Sequence, residues 1–174
     1  MSIARKIAIG ISIILFFLLQ VSVFSHLQLG GIVPNLMILL VSVYGFIHGE
    51  RYGIVIGFFC GLLIDLFYGD FIGLNALICV FLGYLNGQFY GMFFAEDIRL
   101  PLWLILGSDM TYGVTVYILR FLLRGKLDFW FYLSKVILPE MLYTILVGIL
   151  IYPLILRIYK AFEKAPDRSD IGRV

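Results

Sequence analysis

"GIVIGFFCGLLID", residues 53–65, sets Gly53, Gly57, Gly61 and Asp65 at intervals of four. On a helix that spacing draws three positions without side chains and one carboxylate along a single ridge. Such a helix is poorly suited to water, where glycine costs about 0.8–1 kcal/mol per interior position against alanine and an unpaired acid among Ile, Phe and Leu costs more. Lipid changes the balance, because helices there gain little by hiding apolar groups and associate through close backbone contact. The composition selects lipid. With 62% hydrophobic and 14% charged residues and a mean hydropathy of +1.04, the chain carries more apolar surface than 174 residues could bury as one soluble core. The sequence therefore describes an all-α integral membrane protein, and the 53–61 ridge predicts a packing face.

A bilayer-length window gives six apolar spans, at about residues 7–24, 33–47, 52–68, 72–94, 100–123 and 129–156. Together they form one six-helix bundle over about residues 1–160, followed by a basic tail at 161–174. Arg5 and Lys6 precede the first span as in a signal peptide, but its apolar run continues to Phe24 with no small-residue cleavage site, so it reads as a permanent helix. Placing both termini and the turns near 48–51 and 95–99 on the cytoplasmic side puts nine of the 13 basic residues inside, Lys6, Arg51 and Arg99 among them. The exceptions are Lys135 and the cluster "RFLLRGK" at 120–126, which reads as snorkelling to headgroups or as a contact for an acidic partner.

The residues carry little that resembles catalytic chemistry. There is no CxxC, no histidine pair at ligand spacing, no P-loop and no GxSxG, and nothing suggests a cofactor, a metal or nucleic acid. Cys60 and Cys79 read as packing thiols. Asp65, near the end of the third span, is either an interfacial helix terminator or a carboxylate held against Asn75 or Lys135. Asp109 and Glu140 fall near mid-membrane, so they must face the bundle or a wet cavity; if they meet, one carries a proton, and if not, Thr111 or Thr144 are neighbours by position. Ser42, Asn86, Ser108, Thr111 and Thr115 are expected to bond to nearby backbone or across helices. A second small-residue ridge, Gly83, Gly87 and Gly91, repeats the spacing of the first, which offers one close-packed face to the fold and one to another protein.

The stretch from Val33 to Gly87 resembles the central signature of the rod shape-determining MreD family. The matching positions are Pro34 and Asn35 opening the second span, then Gly57, Phe58, Gly61 and Asp65, then Gly73, Ala76 and Leu77, and the Gly83–Tyr84 pair. Length, six spans, a basic cytoplasmic tail and the proline-interrupted last helix at 138–159 agree. The resemblance implies a non-enzymatic component of the bacterial inner membrane that belongs to the cell-elongation and peptidoglycan-synthesis machinery. It implies a bitopic MreC-like partner and, through it, an MreB-like filament, a RodA-like glycosyltransferase and a penicillin-binding transpeptidase.

The family's fold is also similar to the substrate-binding subunits of energy-coupling-factor vitamin transporters. The alternative reading is thus a small-molecule binding subunit, with a pocket lined by Asp109, Glu140 and aromatics and a small-residue face at Ala4, Ala8 and Ser12. An intramembrane hydrolase stands third, since Asp109 and Glu140 are its only conceivable acid pair.

Overall fold

The computed structural model describes residues 3–69, 72–92, 98–120 and 128–163, which are helical apart from short connections and one isolated bridge between Leu29 and Ile32. α1 (Ile3–Leu18) continues as a π-helix through Leu19–Phe24. α2 is Leu36–His48, α3 is Glu50–Tyr68, and α4 is Leu74–Gln88 with a closing 3-10 turn at Phe89–Met92. α5 is Arg99–Arg120. α6 (Phe129–Tyr132) runs through a π-helical turn, Leu133–Ile137, directly into α7 (Leu138–Glu163), so that the two act as one rod. The cluster at 121–126 and the tail from 164 onward lie outside the described residues.

Among the described residues four stretches are long and apolar enough to cross a membrane: Lys6–Phe24, Glu50–Tyr68, Arg99–Leu119 and Phe129–Tyr159. Of the six apolar segments expected, four meet that length among the described residues, and the second and fourth, α2 and α4, do not. α2 has 13 residues and α4 has 15, about 20 and 22 Å at 1.5 Å per residue, short of a hydrocarbon core of about 30 Å.

α2 has no need to match the bilayer because it is the core. Every residue from Leu36 to Ile47 is buried, and α1, α3, α4, α5 and α7 all touch it. A helix that is apolar all round belongs inside a bundle. Its entry is correspondingly unusual. After α1 the chain reverses through Gly30 and Gly31, both at positive φ, and Val33–Asn35 descends as irregular backbone to a helix start within the protein. Backbone of this kind survives at membrane depth only where protein or a cavity satisfies it. Here every early N–H has an acceptor. Asn35 N donates to Thr144 Oγ1 at 3.0 Å, Leu36 N to the Pro34 carbonyl at 3.2 Å, Met37 N to Gln20 Oε1 at 3.2 Å and Ile38 N to Asn35 Oδ1 at 3.2 Å. The last is an ordinary asparagine N-cap and the Pro34 carbonyl is local, while Thr144 reaches in from α7 and Gln20 from the π-helical end of α1.

Candidate functional site: a sealed glycine seam and a buried polar cluster

α3 and α4 lie antiparallel and share the most intimate contact in the molecule. A Cβ built on Gly53 would fall on the Gly83 carbonyl, one on Gly57 on the Cys79 carbonyl, and one on Gly61 on the Ala76 backbone. Gly87 meets the backbone of Glu50 in the same way. α2 joins at the level of Gly53, where a Cβ on Gly45 would stand 2.9 Å from the Gly83 oxygen. The two glycine ridges are therefore turned on each other, and the fold itself fills both. Gly91 is not part of this seam: it lies in the 3-10 turn after α4 has ended, exposed, with nothing within 4 Å of a Cβ placed on it. The change from 3.6 to about 3.0 residues per turn takes it off the ridge. Cys60 and Cys79 are free and buried in the seam region.

The seam is closed at one end by Asp65. This carboxylate is 2% exposed, and it accepts from Gly73 N at 2.9 Å, Asn75 N at 3.0 Å, Ala76 N at 3.0 Å and Asn75 Nδ2 at 2.9 Å. α4 has no side-chain cap of its own, because its N-cap position is Gly73 at φ +103°. Asp65 supplies the cap from the neighbouring helix, placing its charge where the free N–H groups and the helix dipole favour an anion. Tyr112 on α5 then donates to Asn75 Oδ1 at 2.9 Å, which ties a third helix to the pair. Lys135, the other partner considered for Asp65, is exposed on the π turn before α7.

Asp109 contrasts with this. It is 3% exposed, and neither carboxylate oxygen has a hydrogen-bond partner. Thr144 and the Asn35 amide are its polar neighbours, and Glu140 stands close enough for the two acids to interact. Beside this cluster a cavity of about 270 Å³ is lined by Gln20, Asn35, Tyr68, Tyr112 and Glu140. Asp109 lies outside the lining. Other polar groups on α2, α4 and α5 bond to their own helix or to its neighbour. Ser42, Thr111 and Thr115 donate to carbonyls four residues back, and Asn86 Nδ2 donates to the Leu82 carbonyl and to Ser108 Oγ.

The remaining positions quoted for the resemblance divide cleanly. Pro34, Asn35 and Ala76 are buried at junctions between helices. Phe58, Leu77 and Tyr84 are exposed on the outside of the bundle. Gln20 and Gly45 were not legible as contributors. A single glutamine in an apolar run and a single glycine in a buried helix have no periodicity to mark them.

What these contacts define is a helical membrane protein whose interior polar groups are used to hold short helices together. Among the described residues no group of three or more His, Cys, Asp or Glu could hold a metal ion. A family model described as rod shape-determining protein MreD matches residues 1–162, and the chain belongs to that family. MreD is a family of shape-determining structural membrane proteins and is not known as an enzyme family. No curated protein matches the chain, and no solved structure matches it. Neither the likeness to energy-coupling-factor subunits nor the transporter alternative has support in these comparisons.

Proposed function

We propose that this protein is a multi-pass scaffold of the bacterial inner membrane that seats the transmembrane helix of a bitopic MreC-like partner in the cleft between α4 and α5, with both of its own termini cytoplasmic. Through that partner it would connect to the MreB-like filament, the RodA-like glycosyltransferase and the penicillin-binding transpeptidase of cell elongation. The observation that carries the reading is the contrast between the sealed seam on one side of α4 and the open cleft on the other. Two adjoining cavities, of about 200 and 730 Å³, share Thr111 and run from Phe89 and Trp103 at one end to Gly73 and Leu119 at the other. Gly107, Thr111 and Thr115 give α5 a small-residue face along this cleft, the kind of surface on which helices associate in lipid. Gly107 has nothing within 4 Å of a Cβ placed on it, so backbone approach is open there. Asn86 lines the same cleft with a buried Oδ1 that lacks a partner.

The test is co-purification. Gly107→Leu together with Thr115→Leu should leave protein levels unchanged, abolish capture of the bitopic partner and round the cells. Retained capture with normal rod shape would remove the cleft from consideration.

A further inference from the structure

α1 and α3 run parallel and form a wedge. At the far end they are joined by the Phe17 and Phe67 rings, whose centroids are 4.8 Å apart. Toward the N-terminal end they separate around a groove of about 600 Å³, within the roughly 300–1,000 Å³ usual for small-ligand sites. Ile9, Ile13 and Ile56 form its buried floor, with Val55 and Phe59 as exposed apolar walls. At its mouth stand Lys6 and Arg51, both exposed. Among the described residues neither has an ion-pair partner, although the Glu50 carboxylate is adjacent in sequence.

We infer that this groove binds an anionic phospholipid from the leaflet on the N-terminal side, its phosphate between Lys6 and Arg51 and one acyl chain along Ile9, Ile13 and Phe59. Three features select this occupant. The cations lie together at one end and the rest of the lining is apolar apart from the Tyr52 hydroxyl, which is the polarity of a lipid and not of a soluble anion. The length agrees: from Lys6 to the ring of Phe17 is about 16 Å along the helix at 1.5 Å per residue, close to half of a hydrocarbon core of about 30 Å. A partner's transmembrane helix needs a groove that crosses both leaflets, and the Phe17–Phe67 contact closes this one part-way. The inference does not depend on the docking cleft between α4 and α5, which lies on other helices.

The experiment is native mass spectrometry of the full chain released from mixed phosphatidylglycerol and phosphatidylcholine. The wild-type protein should retain one phosphatidylglycerol in preference to phosphatidylcholine by about tenfold or more. Lys6→Gln with Arg51→Gln should abolish that preference while still retaining a lipid of either kind. Gly10→Leu should lose the bound lipid altogether, because Gly10 lines the groove and a Cβ placed on it has no heavy atom within 4 Å, which leaves a side chain there to occupy the groove. The thermal melt of both variants should match that of the wild type. Equal retention of the two lipids by the wild-type protein overturns the inference, as does a Gly10→Leu protein that keeps its phosphatidylglycerol. Capture of another chain that Gly10→Leu displaces would assign the groove to a protein instead and overturn it as well.

Discussion

α3 presents two contrasting faces side by side, one sealed against α4 and one open toward α1. Gly53, Gly57 and Gly61 touch the backbone of α4, while Arg51, Val55 and Phe59, on the next face, leave a groove open toward α1. The first face shows what glycine achieves in a membrane protein: with no side chain between them the helices gain dispersion contacts along their whole backbones. The second shows that bulky side chains on a neighbouring stripe hold a third helix off. One helix thus supplies both the rigid element of the fold and an accessible surface. The two buried acids repeat this contrast, since Asp65 is saturated with donors and Asp109 has none.

The largest effect is expected at the seam. Gly83→Leu or Gly57→Leu places a side chain on a backbone carbonyl that has no room to retreat, because the opposing helix is itself packed against α2. The cost should exceed the roughly 1–3 kcal/mol of ordinary overpacking and is expected to leave little folded protein in a thermal-unfolding assay, with loss of rod shape in cells. Wild-type melting of Gly57→Leu would show that the seam is not the rigid element.

Next comes the cap. Asp65→Leu strands the N–H groups of Gly73, Asn75 and Ala76 and should cost about 3–5 kcal/mol, whereas Asp65→Asn keeps one acceptor oxygen and should cost about half as much. Chemical denaturation of the two variants gives the order, and the reverse order would refute the capping role.

The unpartnered acid should be far more tolerant. Asp109→Asn with Glu140→Gln removes two carboxylates that make no hydrogen bond worth preserving at Asp109, so stability should change by less than about 1 kcal/mol and capture of the bitopic partner should persist. A loss comparable to that of Asp65→Leu would mean that the Asp109 charge is held by something essential. Smallest of all should be Gly107→Ala, within about 0.5 kcal/mol, because the added methyl meets open space. The same methyl at Gly83 should be severely destabilising, and equal melting temperatures for the pair would erase the distinction between seam and cleft.

Much of this was legible in the sequence, and the exceptions share a cause. The four-residue spacing of Gly53, Gly57 and Gly61 marks a packing face because a helix brings every fourth position to one side, whatever it packs against. Asp65 announced itself as an acid in an apolar run, with Asn75 among its possible partners. The second ridge was also visible, but not that it would close on the first. That pairing depends on the reversal near Gly73 laying α4 antiparallel on α3, which no periodicity encodes. Gly91 carried the same spacing and was lost only because the helix ends at Gln88.

The sequence by itself determined the solvent, the helices and their close-packing stripe, because composition and period are local properties that survive any arrangement. Only the tertiary structure decided which helices the lipid sees. "LMILLVSVYGFI" (36–47) is as apolar as any span, and hydropathy alone cannot separate a helix surrounded by lipid from one surrounded by other helices, since both environments are equally free of water. What made α2 the core was its neighbours: Thr144, Gln20 and Asn35 take up its opening N–H groups inside the protein, so a helix too short to cross the bilayer can begin within it.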